Sequence, residues 1–398
     1  MKSILIYNAR IVTPERVIEK GAVYIENGII EEITEGYTGS VVDEATLKID
    51  AQGKLLLPGL IDLHTDAMDI EIVPRKGADF PIEVAFRELE RRMSGCGITT
   101  VYHSLHMGYR NAEVNSNSKY EREEVFEKVF QAAQRHTLIN NKIHLRFELT
   151  GVWAFEAACR LIEKGYVALL SIMDHTPGQG QFGEEQFLLV ATRNGIARED
   201  ALKTLKEKQA MPRITPLQIE HMINLAKSLA IPVASHDDDT PEKVNQMYQA
   251  GVSICEFPIT MEAALEGKRL GMSVMAGSSN VLRGGSLSGN LNVLDGIKAS
   301  AIDSLCSDYY PPSLLHSVVK IMQEGALPIH EAVNLATLYP AKAANIADQI
   351  GSIETGKQAD LILLELIDQL PLVTHTIVNG KITAQANLHP QREKAWTY

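Results

Sequence analysis

The sequence predicts a parallel (β/α)8 barrel of TIM type carrying a small β-sandwich domain built from both ends of the chain. Three observations lead there. Eight short apolar runs alternate with amphipathic stretches through the middle of the chain. Both ends instead alternate in period two and carry hairpin signals. Finally, most of the polar residues able to do chemistry fall just after the apolar runs, where a barrel gathers them. A doubly wound open sheet is the weaker alternative.

The N-terminal part runs Ile4-Leu5-Ile6, Ala9-Arg10-Ile11-Val12 and Ala22-Val23-Tyr24-Ile25. The turn signal Asn27-Gly28 then leads into Ile29-Ile30-Glu31-Glu32-Ile33. The C-terminal part answers with Leu361 to Leu364 and Thr376-Ile377-Val378, followed by Asn379-Gly380. Two segments of like texture flanking a long middle are expected to pair. The composite domain is therefore drawn over 1–56 and 347–398, and the barrel over 57–346. Barrel strands are read at 57–63, 98–103, 143–149, 167–173, 231–235, 252–257, 272–276 and 302–306. Helical patterns include Glu121 to Gln134 and Pro216 to Leu229, and 184–215 reads as a helical insertion.

Composition bounds the function. With 398 residues, 45% apolar and 22% charged, the chain suits a globular enzyme. A net charge of −12 argues against a nucleic-acid binder but leaves room for a local basic pocket. No apolar run reaches the length of about 18 residues that a membrane helix needs, and the N-terminus lacks a cleavage pattern. Cys96, Cys159, Cys255 and Cys306 are scattered, as expected of thiols in a reducing cytoplasm. A dimer is expected, as the commonest oligomer.

The first run ends in Leu63-His64-Thr65-Asp66. Two apart on an extended chain, His64 and Asp66 point the same way and can share a divalent cation; the bland reading is a strand ending in a polar loop. Glu148 lies in the third run, Asp174 and His175 follow the fourth, and His236-Asp237-Asp238-Asp239 follows the fifth. Glu256 closes the sixth and Asp308 the eighth. His175 is a ligand or an orienting residue, and Glu256 a strand cap, a substrate contact or a ligand. Asp237 and Asp238 are candidate site residues or solvated, and Asp239 or Thr240 caps the helix opened by Pro241. His103 and His106 read as core histidines with a functional alternative. The stretch 277–290, with Arg283-Gly284-Gly285, reads as a phosphate-binding loop, the alternative being a flexible surface loop. Arg75 is a second cationic candidate.

Three motifs, Val23 to Gly28, Pro58 to His64 and Gly351 to Leu361, resemble the amidohydrolase superfamily. Within it, His64-Thr65-Asp66, Met173 to Gln179, Ala234 to Asp238, Arg283 to Ser286 and Ser307 to Pro311 are similar to the α-D-ribose 1-methylphosphonate 5-triphosphate diphosphatases of phosphonate breakdown. The resemblance implies an amidohydrolase-type barrel that converts a ribosyl triphosphate to the 5-phosphate and releases pyrophosphate. It implies one or two divalent ions, zinc first and manganese or iron(II) next, held by His64, Asp66, Glu148, His175 and His236. Asp308 would act on the attacking water. Arg75, Gln179, Gln181, Arg283, Gly284 and Gly285 would face a small anionic sugar phosphate. The chain departs from the family pattern at Ala67 to Asp69, His103 to His106, Gly180 and Leu287, which motivates C–N bond hydrolysis as the alternative.

Overall fold

The structure is a computed structural model, described here for residues 3–36, 45–108, 119–178, 183–193, 195–286 and 289–387. The chain opens with β1 (Ile4–Val12), β2 (Val17–Glu26), β3 (Ile29–Glu35), β4 (Leu47–Asp50) and β5 (Leu55–Pro58). The barrel strands follow as β6 (Leu60–Thr65), β7 (Ile98–Met107), β8 (Asn140–Glu148), β9 (Leu169–Met173), β10 (Val233–His236), β11 (Ile254–Glu256), β12 (Ser273–Gly277) and β13 (Ser304–Cys306). The chain returns to the first sheet with β14 (Leu361–Ile367), β15 (Leu370–Val378) and β16 (Lys381–Gln385).

The terminal sheet joins both ends of the chain in the order β16-β15-β14-β5-β1-β2-β3, with β4 also on β1. Its seam is the antiparallel pairing of β14 with β5. Both Asn-Gly turns have the left-handed backbone that a type I′ hairpin requires: Asn27 and Gly28 at φ 53° and 86°, Asn379 and Gly380 at 47° and 67°. These turns come from opposite ends of the sequence and abut. A Cβ on Gly380 would lie 2.7 Å from Gly28 Cα, so neither position has room for a side chain. A separate apolar cluster, with Ile6, Ile11, Val23, Leu56, Leu361 and Ile377, fills this part.

The barrel strands run β6 to β13 in sequence order, all neighbours parallel. A single parallel bridge between Thr65 and Asp308 ties the last strand to the first. Its bonds run from Asp308 N–H to the His64 carbonyl (2.9 Å) and from Asp66 N–H to the Asp308 carbonyl (2.6 Å). Leu169, Ala234 and Ile254 form part of an apolar layer inside the barrel. Each precedes Ser171, His236 or Glu256 by two residues, so the strand period places those polar groups on the same inward face.

Two expectations are corrected. The run 57–63 is two strands, because Leu55 to Pro58 pairs in the terminal sheet and only Leu60 onward enters the barrel. Gly59 makes the crossover, and a Cβ there would lie 2.1 Å from Thr99 Oγ1. Gly59→Ala is expected to cost about 1–3 kcal/mol through this overlap, read as a lower urea midpoint with an unchanged slope. The stretch 277–290 is not all loop either: Ser278–Arg283 is a helix, ended by Gly284 in the left-handed conformation at φ 79°. The insertion forms helices Glu184–Arg193 and Arg198–Gln209 around a small cluster of their own. Among the described residues, no helix is long and apolar enough to cross a membrane.

Candidate metal centre

Strand order and register bring the polar strand ends to one mouth of the barrel. His236 aligns with Glu256 across β10 and β11, and the closing bridge sets Asp308 beside His64 and Asp66. The register of β6 slips between Asp62 and Thr65, an irregularity of the kind that re-aims side chains beside active sites. Asp237, Phe257 and Asp308, which follow three of these strands, hold left-handed backbones at φ 57°, 53° and 64°. Non-glycine residues in that region are strained, and such strain gathers at functional sites.

Two carboxylate–histidine pairs build the floor. His64 is fully buried and places Nδ1 2.7 Å from Glu256 Oε1; Ser171 Oγ donates to the other Glu256 oxygen at 2.6 Å. His175 places Nδ1 2.7 Å from Glu148 Oε2, while its backbone N–H donates to Oε1 at 3.0 Å. A carboxylate accepts, so in each neutral imidazole Nδ1 carries the proton and Nε2 presents a lone pair. His64 Nε2 lies 3.7 Å from Asp66 Oδ1, and His175 Nε2 lies 3.7 Å from Asp237 Oδ2. His236 stands between them, its Nδ1 3.1 Å from Asp237 Oδ2.

Electrostatics follow from these contacts. Burial, the largest single influence, would lower the pKa of His64, but the Glu256 and Asp66 carboxylates together outweigh it and lift the imidazole to about 9. Glu256 moves the opposite way, held well below the usual carboxylate range by His64 and its neighbours despite burial. Asp308 is raised, chiefly by burial. His144 is fully buried and pushed down to about 3 by desolvation, with Nδ1 3.0 Å from the Leu63 carbonyl and its ring edge-on to His64.

The donor set fits a divalent metal. His64 Nε2 and His236 Nε2 are buried without a hydrogen-bond partner, and His236 Nδ1 meets Asp237 only as a close charge contact outside hydrogen-bond geometry. Buried polar atoms normally find partners, so orphaned imidazole nitrogens facing carboxylates need an explanation. Among the described residues, three overlapping groups could each hold an ion: His64, His236 and Glu256; His175, His236 and Asp237; and His64, Asp66 and Asp308. Mixed imidazole and carboxylate donors suit zinc, iron or manganese better than an all-oxygen ion site.

Above this floor opens a cavity of about 310 Å³, walled in part by Asp66, Asp237, Asp308, Arg146, Ser279, Asn280, Arg283 and Tyr309. The Phe257 ring makes T-shaped contacts with His64 and His236, with centroids 4.9 and 5.1 Å away. Arg283 sits in the wall, donating to Tyr309 Oη and the Gly285 carbonyl at 3.1 Å each.

Of the residues singled out from sequence, His64, Asp66, His175, His236, Asp237, Glu256, Asp308 and Arg283 converge here. Glu148 sits behind His175, with both oxygens engaged by that residue. Asp237 and Asp238 are buried, so the solvated reading does not hold. Asp174 turns to Arg213 at 3.1 Å and to the Thr176 N–H at 3.1 Å. Gly284 and Gly285 do not line the cavity, and Arg75 lies exposed after helix Ala67–Ile72. His103 bonds Asn141 at 2.9 Å and is held near 4 by burial; His106 bonds Asp69 at 2.8 Å. Neither histidine belongs to the ion-holding groups found among the described residues. Gln179 and Gln181 lie outside the described residues.

Sequence reasoning missed His144 and Arg146. Arg146 Nη1 reaches Asp66 Oδ1 at 2.5 Å from near the carboxyl end of β8. The signal was available: His144, Arg146 and Glu148 recur at period two, an unusual density of polar groups for one face of a barrel strand.

Comparison with known proteins agrees with this architecture. The chain is 33% identical over 387 residues to α-D-ribose 1-methylphosphonate 5-triphosphate diphosphatase of Escherichia coli K12, covering 95% of this chain and 99% of that one. It is 23% identical over 417 residues to imidazolonepropionase of a Geobacillus strain, covering 93% and 90%. A solved Xaa-Pro dipeptidase with bound methionine superposes with a TM-score of 0.67 at 16% identity, covering 97% of this chain and 100% of that one. The Amidohydrolase family profile matches residues 55–384, spanning every barrel strand and the returning strands of the terminal sheet. On barrel, terminal sheet and sequence alike, the chain belongs to the amidohydrolase family.

Proposed function

We propose that the protein is a metal-dependent diphosphatase of phosphonate metabolism, converting α-D-ribose 1-methylphosphonate 5-triphosphate to the 5-phosphate with release of pyrophosphate. The observation that carries this reading is the likeness to the Escherichia coli diphosphatase over nearly the whole of both chains. His64, Asp66, His175, His236 and Asp237 would hold one or two ions, zinc first and manganese or iron(II) next. When bound, the ion supplies Lewis acidity, bringing the pKa of water from about 16 toward about 7. Asp308, at the junction of β13 and β6, takes the proton of the attacking water. Arg283 and Arg146 face phosphoryl oxygens from the cavity walls, opposing charge that grows as the anhydride bond breaks. The same reading takes the protein as cytoplasmic and dimeric.

A second reading, hydrolysis at a C–N bond, is favoured by the likeness to imidazolonepropionase across both chains. One assay separates the two. Zinc-, manganese- and iron-loaded protein is offered a ribosyl 5-triphosphate beside a panel of N-acyl compounds, cyclic imides and aminated rings. Pyrophosphate release is expected. Turnover confined to the C–N panel would replace the first reading with the second.

A further inference from the structure

We propose that Glu256, braced by Ser171, is a positioning residue for His64: it fixes the imidazole so that Nε2, and not Nδ1, is offered to the metal. This rests on the metal reading above and adds a role for residues which that reading leaves without one. Glu256 ends β11, is fully buried, and spends both oxygens on protein partners, His64 Nδ1 at 2.7 Å and Ser171 Oγ at 2.6 Å. Ser171 is itself buried on β9, so the brace reaches back across the barrel from two strands away.

Glu256 also falls in one of the groups that could hold an ion, so the two roles must be told apart. Ligands roughly 2.0–2.1 Å from a tetrahedral ion lie about 3.3 Å from one another. His64 Nδ1 and Glu256 Oε1 are 2.7 Å apart, the separation of a charge-assisted hydrogen bond. With Nδ1 committed to Glu256, Nε2 is left toward Asp66 and Asp308, the pair that groups with it. The following residue, Phe257, packs on His64 in a T-shaped ring contact and braces the imidazole from a second direction.

The test measures zinc affinity by chelator competition on metal-stripped protein, with the visible spectrum of the cobalt form as a second readout. Neither needs a substrate. Glu256→Ala is expected to weaken zinc binding roughly 10–100-fold and to shift the cobalt bands. Glu256→Gln keeps an oxygen that accepts from Nδ1–H and an amide that donates to Ser171, so affinity and spectrum are expected to stay near native. Ser171→Ala is expected to fall between them. Gln as weak as Ala would assign Glu256 a ligand role and overturn the proposal, as would native affinity in Ala. Should Glu256→Ala not fold, Ser171→Ala decides: weakened binding upholds the brace and native binding overturns it. Native protein that takes up no zinc, manganese or iron would overturn the metal reading first, before any variant is compared.

Discussion

Asp308→Asn is expected to lower kcat for pyrophosphate release about 10²–10⁴-fold, the usual contribution of a positioned proton acceptor. The substitution is close to isosteric and preserves the structural contacts of Asp308. Asp308 occupies a left-handed backbone at φ 64°, which Asn tolerates as Asp does. Its N–H closes the barrel onto the His64 carbonyl, and an amide side chain leaves that bond in place. Folding and melting temperature should therefore be native. What Asn cannot do is accept the proton of an attacking water. Because Asp308 also groups with His64 and Asp66, metal content is measured alongside. A kcat within a factor of about three of native, with metal retained, would remove Asp308 from the chemistry.

Arg122→Ala is expected to destabilise the fold by about 3–5 kcal/mol, the cost of stranding a buried charge. Asp69, in the helix just after His64 and Asp66, is buried with both oxygens on Arg122, at 2.8 and 3.1 Å, and one also on His106 at 2.8 Å. Burial alone would raise the Asp69 pKa, but the Arg122 fork and His106 hold it well below the usual carboxylate range. Arg122 further donates from Nε to the His106 carbonyl at 2.9 Å, tying the end of β7 to the same carboxylate. Denaturant unfolding reads the loss. Arg122→Lys should recover only part of it, because an ammonium has no planar fork. Replacing Arg122 and Asp69 together by leucine should cost less than Arg122→Ala alone, since no unpaired charge remains. Equal losses in the double replacement and the single one would show that the charge is not the cause.

Much of the frame was legible in the sequence because it is written in local period and local turn chemistry. Apolar runs of strand length placed all eight barrel strands within a few residues. The two Asn-Gly pairs marked hairpins whose backbones only such residues adopt readily. Thr240 caps helix Pro241–Gln249, its hydroxyl accepting from the Lys243 N–H at 3.2 Å. The need for glycine at Gly59 has no local signal, because the side chain that crowds it, Thr99, is forty residues away. The short helix Ser278–Arg283 was hidden by composition, since small polar residues in a glycine-rich stretch carry no helical stripe.

The candidate site divides along the same line. Which residues could serve is a matter of chemistry, and His64, Asp66, His175, His236 and Asp308 stand at strand ends where a barrel collects them. How each serves depends on contacts between strands. Glu148 and Glu256 look alike in sequence, acids at the ends of buried runs, and nothing local says that each faces an imidazole Nδ1. His103 and His144 look alike too, yet one bonds Asn141 and the other lies against His64. The sequence by itself determined the strands, the turns and the reactive inventory, because period and backbone preference act over a few residues. Only the tertiary structure decided which nitrogen of His64 is left for a metal and which carboxylate stands behind it, because hydrogen-bond direction is set by partners nearly two hundred residues apart.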